Sequence, residues 1–256
     1  MRKDSFTLFL VFPSIILSII LFFPVINLLA TTSATQYIEA FLDTEVRLAI
    51  FLSLFTATLT TILAVILGVP FAYILARKNF PFKSIVDSLV DLPILIPHTV
   101  AGIALLTLFG PRALIGSMLK NFGLIFTGTI YGIVLAQFFV SAPLLIKTTK
   151  EVLLKIDERF IKAARTLGAS PRNIFLDIEL PLSARGILTG AILCWARAIS
   201  EFGAVIILAY YPYTAPVLIY IRFETWGLSA SKSISALLLL VTLSIFILLK
   251  CIEKKR

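Results

Sequence analysis

The chain has 256 residues, 59% of them hydrophobic and only 14% charged, and carries a formal net charge of +9. Its mean hydropathy is +1.01. Soluble globular domains carry about 45–50% apolar and about 25% charged residues, so this composition excludes a water-soluble fold and points to an integral membrane protein.

Apolar stretches free of Asp, Glu, Lys and Arg run over Ser5–Ile38, Leu48–Ala76, Leu92–Pro111, Asn121–Ile146 and Ser233–Leu249; a further one, Gly186–Ile221, is broken by Arg197 and Glu201. A helix needs roughly 20 apolar residues to cross the hydrocarbon core. Barrel strands would instead alternate over about 10 residues. The expectation is therefore an all-α membrane protein with helices at about 6–30, 48–76, 88–110, 128–149, 186–210 and 230–250, forming a single domain over 1–256. The first stretch follows Met1-Arg2-Lys3, as a signal peptide would. It is too long for a signal core of about 7–15 residues and no small-x-small site closes it, so it is read as a retained helix.

With six helices, the termini and the even-numbered gaps share one side. That side holds seventeen of the 23 basic residues, the other side five, and Arg197 is left inside a helix. Basic loops stay in the cytoplasm, so both termini are expected inside. This asymmetry accounts for the positive charge without nucleic acid; the terminal Lys254-Lys255-Arg256 suits anionic lipid. Cys194 and Cys251 show no metal-ligand spacing and are expected unpaired.

The third helix opens with Asp91-Leu92-Pro93-Ile94-Leu95-Ile96-Pro97-His98-Thr99-Val100-Ala101-Gly102. Pro93 and Pro97 remove backbone donors. In lipid such breaks are tolerated against protein or a water-filled cavity, so this segment is a candidate pore-side element. His98, the only histidine, is either a packing residue or a pathway residue. Asp87 and Asp91 are read as capping or solvated.

The gap from Lys147 to Arg185 is basic and too long for a turn. Asp157 can cap a helix with Glu158 in its first turn, Phe160, Ile161, Ala164 and Leu167 recur at helical spacing, and Gly168 is placed as a stop. Ser170-Pro171 can start a second short helix, and Leu180-Pro181 ends the loop. Glu158 is placed to pair with Lys162, four residues on. In the fifth helix Arg197 and Glu201 also stand four apart. Each costs roughly 2.5–3.5 kcal/mol at a membrane centre, so both face protein or water. They form either a structural ion pair or part of an anion route or gate.

Within that loop, Lys162-Ala163-Ala164, Gly168 and Ile178-x-Leu180-Pro181 resemble the EAA loop of ABC importer permeases, E-A-A-x3-G-x9-I-x-L-P, with Lys162 standing for Glu. The segments around Pro93-Pro97-His98 and from Ala196 to Ala204 resemble the molybdate/tungstate and sulfate type of that family. The resemblance implies a type I ABC importer permease fold, with residues 150–185 as a cytoplasmic coupling loop. It implies Lys162, Ala163, Ala164, Gly168, Ile178, Leu180 and Pro181 as ATPase-coupling residues, and leaves Pro93, Pro97, His98, Arg197 and Glu201 as pathway candidates. The implied partners are a second copy of the chain, two cytoplasmic ATPase subunits that bind ATP and Mg, an external oxyanion-binding protein, and lipid. The chain itself has no G-x-x-x-x-G-K-[ST] phosphate loop, so it is expected not to be an enzyme and to hold no cofactor. An intramembrane enzyme is disfavoured by the absence of H-E-x-x-H, G-x-S-x-G and C-x-x-C. A channel or secondary carrier has no use for the structured loop.

Overall fold

The computed structural model describes residues 5–255; Met1-Arg2-Lys3 and Arg256, counted above for charge asymmetry, lie outside them. The chain forms α1 (Ser5–Ala30), α2 (Ala34–Leu42), α3 (Thr44–Arg77), α4 (Lys83–Leu95), α5 (His98–Phe109), α6 (Leu114–Lys120) and α7 (Ile130–Lys155). There follow α8 (Glu158–Thr166), α9 (Pro171–Asn173), a π-helical turn over Ile174–Glu179, α10 (Leu180–Ile199), α11 (Gly203–Leu208), α12 (Ala215–Trp226) and α13 (Leu228–Lys255). Among the described residues five helical segments are long and apolar enough to cross a membrane, and the pair α4–α5 makes a sixth if it counts as one span.

That pair corrects the expectation of one helix over 88–110. α4 and α5 meet at 113°. Only Pro97 breaks the chain: Ile96 before it is extended, at φ −82° and ψ 146°, the conformation a following proline enforces. Pro93 stays inside α4 and is buried. The expected helix over 186–210 is corrected at both ends. It begins at Leu180, continuous with the π turn, and stops at Ile199; α11 then restarts at Gly203. The seventh helix also runs further than expected, to Lys155, so the connecting hairpin is shorter than 150–185.

At the centre α3, α7 and α10 pack together. Lipid tails are as apolar as leucine, so membrane helices gain by close van der Waals approach and small residues. α3 accordingly presents Ala57, Ala64, Gly68 and Ala72, all buried. A Cβ on Gly68 would lie 3.0 Å from Leu145 of α7. Two buried hydroxyls of α3 reach across this core: Thr60 donates to the Gln137 amide oxygen at 3.1 Å, and the Ser53 hydroxyl accepts the Ala215 N–H at 2.8 Å, capping α12 across the fold. α1 packs lightly on α13, and no residue of its apolar length Phe9–Ala30 is buried. Cys194 is buried and Cys251 exposed, both free.

α4 is held by ion pairs that correct the reading of its carboxylates as capping or solvated. Asp87 accepts from Lys150 at 2.5 Å and Asp91 from Lys147 at 3.0 Å, joining α4 to α7. At the opposite end Arg222 of α12 bridges Asp43 and Glu45, at 3.1 and 2.6 Å.

α5 and α11 cross with their backbones nearly touching. A Cβ on Gly102 would lie 2.8 Å from the Ile207 Cβ and 2.9 Å from the Ala204 carbonyl oxygen. Neither atom can yield by a side-chain rotation. Gly102→Leu is therefore expected to cost about 1–3 kcal/mol through overpacking, seen as a lower thermal unfolding midpoint in detergent. An unchanged midpoint would mean the two helices do not meet there.

Candidate functional site

Two constellations collect the residues singled out in the sequence. The first lies where the two broken spans meet. His98 is the first residue of α5, Arg197 sits in the last turn of α10, and Glu201 lies in the break before α11. Glu201 is thus not inside a continuous helix, as the sequence suggested. Its side chain is only 1% exposed and uses both oxygens. Oε2 accepts from the Arg197 guanidinium at 2.6 Å, and Oε1 accepts the Ala204 N–H at 2.7 Å, satisfying the start of α11.

The same Arg197 nitrogen stands 2.8 Å from His98 Nε2. The same nitrogen stands 3.2 Å from His98 Nδ1; a guanidinium only donates, so whichever ring nitrogen pairs with it serves as acceptor. His98 Nδ1 is 3.8 Å from the Glu201 carboxylate. The three side chains therefore form one cluster, with His98 43% exposed, Arg197 25% and Glu201 closed off. The other guanidinium nitrogen of Arg197 has a long contact, 3.4 Å, to the Ser200 hydroxyl. Gly203 makes the approach possible: a Cβ there would lie 2.7 Å from the His98 Cβ. Pro97 is the exposed residue immediately before α5, while Pro93 lies a turn back, buried within α4, and is not part of the cluster.

The second constellation is the hairpin between α7 and α10. Asp157 accepts the Arg159 N–H at 2.9 Å as the cap of α8. Lys162 pairs with Glu158 at 3.0 Å, and this hydrogen bond holds the Glu158 carboxyl below its ordinary range. Ser170 caps α9 by accepting the Asn173 N–H at 3.2 Å. Gly168 has φ +82°. The Gly168 N–H bonds the Arg165 carbonyl and the Ala169 N–H the Ala164 carbonyl, both at 3.0 Å, which closes α8 as a Schellman stop. Nothing lies within 4 Å of a Cβ built on Gly168. Backbone handedness, not crowding by a neighbour, therefore demands the glycine.

The hairpin has its own small core of Ile161, Ala164 and Ile174, with Ala169 and Ile178 packed against it. Ala164 and Ile178 thus serve the hairpin's interior. Phe160, Ala163 and Leu167 form a neighbouring stripe of the same helix and are exposed, Leu167 by 87%. Leu180 packs at the foot of the α3–α7–α10 core and Pro181 takes the second position of α10, where it needs no N–H partner. Two residues that sequence reasoning missed anchor this end: Arg77 of α3 and Glu179, paired at 2.6 Å. No spacing rule links positions so far apart.

The family model described as "Binding-protein-dependent transport system inner membrane component" matches residues 65–256. The molybdate/tungstate transport system permease protein WtpB of Thermococcus kodakarensis is 48% identical over 183 residues, covering 72% of this chain and 69% of that protein. Its counterpart of the same description in Methanocaldococcus jannaschii is 39% identical over 253 residues, 98% of this chain and 97% of that one. Among solved structures, a chain of a bacterial ABC transporter involved in importing the acidic polysaccharide alginate superposes with a TM-score of 0.77 at 17% identity, covering 99% of this chain and 96% of that one. With its apolar spans, its bent helix pair and its folded hairpin, this chain belongs to the inner membrane components of binding-protein-dependent transport systems and is a multi-pass membrane permease with the ABC importer fold.

Proposed function

We propose that the chain forms half of the translocation path of an ATP-driven importer of molybdate or tungstate. A second copy supplies the other half, and lipid covers the outward apolar faces. The termini and the α8–α9 hairpin lie on the cytoplasmic side, as the basic asymmetry argues. There the hairpin docks on ATPase subunits, which bind ATP and Mg. An external binding protein delivers the oxyanion to the opposite end.

The observation that carries this reading is the face of α8. A hairpin with a core of its own and an outward stripe of Phe160, Ala163 and Leu167 is a preformed plug. Lys162 and Gly168 flank that stripe in the pattern of the EAA loop. The substrate class follows from the identity to permeases of that description, and the chemistry of the first constellation agrees with it. A tetrahedral dianion faces a desolvation cost of tens of kcal/mol in bare hydrocarbon, so it needs polar groups along a wet route. Arg197 and His98 are the partly exposed polar groups at the junction of the broken spans, and a guanidinium presents a planar set of donors to an oxyanion. Glu201 holds that guanidinium in place, and Pro97 breaks the span so that His98 reaches it.

Reconstituted with its ATPase and binding protein in proteoliposomes, the complex should hydrolyse ATP faster when the binding protein carries molybdate or tungstate. Stimulation by sulfate alone would move the substrate assignment, and no stimulation by any oxyanion would end it. Leu167→Asp should weaken ATPase binding about 10- to 100-fold, the loss of about 1.5–3 kcal/mol of leucine burial. It should leave the permease's helical content unchanged, because Leu167 touches nothing within the chain's core; titration against the ATPase reads the affinity. Arg197→Ala leaves Glu201 buried without its cation, which is expected to cost about 3–5 kcal/mol. A thermal unfolding midpoint equal to the unsubstituted permease would contradict the pairing.

A further inference from the structure

The hairpin runs directly out of α7 and into α10, whereas its fastening to α3 is concentrated in one ion pair with a buried carboxylate. Arg77 is the last residue of α3 and Glu179 the last of the π turn. Arg77 Nε donates to Glu179 Oε1 at 2.6 Å, and Arg77 Nη2 donates to the Leu153 carbonyl near the end of α7, also at 2.6 Å. Glu179 is 1% exposed and Arg77 15%. One guanidinium thereby joins three segments: the end of α3, the end of α7 and the foot of the hairpin. Beside it the rings of Tyr73 and Phe175 meet at a centroid distance of 4.6 Å.

Elsewhere the hairpin stands off from α3. A cavity of about 330 Å³ opens between them, lined by Arg77, Lys78, Ile161, Lys162 and Arg165 with Glu179 at its base. α8 therefore does not rest directly on α3; its connection to that helix runs through the π turn, by way of Glu179 and Phe175. π turns are rare and recur at functional positions, and here the turn delivers the carboxylate to Arg77.

We propose that the Arg77–Glu179 pair is a strut that passes hairpin displacement into α3 and α7 together, with Glu179 a positioning residue for transport. This rests on the importer reading above and extends it to Arg77 and to Glu179, the position that the EAA pattern leaves unspecified between Ile178 and Leu180. A rigid, hydrogen-bonded charge pair suits the task because separating it would strand a buried carboxylate. Without the strut, α8 can move on the ATPase while α3 lags behind α7 and α10.

The test is the number of oxyanions taken up per ATP hydrolysed, in proteoliposomes holding the permease, its ATPase and its loaded binding protein. Glu179→Gln keeps the shape and an acceptor oxygen but removes the charge. Assembly and ATPase rate should stay within about twofold, while uptake per ATP falls at least fivefold. The exchange Arg77→Glu with Glu179→Arg should recover part of that loss. Equal proportional losses of uptake and hydrolysis in Glu179→Gln, leaving uptake per ATP unchanged, would overturn the strut and make the pair merely structural. If Glu179→Gln fails to assemble, the double variant Arg77→Met with Glu179→Met, which leaves no buried charge, decides in its place: wild-type uptake per ATP overturns the proposal, and a lowered ratio supports it. Failure of the importer reading looks different, because then the unsubstituted complex itself shows no ATP-driven uptake, and the strut falls with it.

Discussion

Glu201 is an acidic side chain buried to 1% exposure, and its two oxygens decide how the spans are arranged around it. A carboxylate in an apolar medium must keep its cation and its hydrogen bonds. Arg197 supplies the first and the Ala204 N–H the second. The end of α10 and the start of α11 are thus fixed to one another by a group that cannot be released cheaply. Arg197 also reaches His98, which brings in the start of α5. Interrupted helices expose backbone groups that hydrocarbon cannot satisfy, and here one break is closed by a side chain while both are pressed together at glycines. Gly102 and Gly203 have no room for a Cβ because the backbones they serve are already in contact.

Much of this was legible in the residues, and what was not has a common cause. The long apolar runs gave the spans because a window of hydropathy needs no partner to be recognised. The cap at Asp157 and the stop at Gly168 were readable because both act on their own helix. Spacing alone could not say that Ile161 and Ala164 turn inward while Phe160 and Leu167 turn out, since the hairpin's core is completed by Ile174 from the other arm. The break after Ile199 was hidden in a continuous apolar stretch. Its only local mark is Ser200-Glu201 ahead of Gly203, and that pattern reads equally well as a charge inside a helix. Pro93 and Pro97 looked equivalent, yet Pro97 stands where α4 ends and Pro93 where α4 packs. Asp87 and Asp91 looked solvated because Lys150 and Lys147 arrive from a helix far along the chain. Features that one element decides are local in sequence; ion pairs between elements are not.

The placement of the two buried carboxylates of the central region ties both ends of α10 into the same account. Glu179 immediately precedes α10 and Glu201 follows it by two residues, and each is paired with an arginine. The 20 residues of α10 span about 30 Å at 1.5 Å per residue, near the thickness of the hydrocarbon core. Between those ends α10 packs on α7 at Gly186 and Gly190, where an added Cβ would press on Val152 and come within 3.2 Å of Leu145 and Thr148. A helix so tightly seated cannot bend to absorb a push at one end, and dense packing transmits strain. If the hairpin drives Glu179 as proposed, α10 carries that displacement along its axis to Arg197. The group that moves there is the one that holds the break before α11 and faces His98. Coupling between distant sites needs a rigid element whose position both ends bias, and α10, pinned by a buried charge at each end, has the construction that role requires.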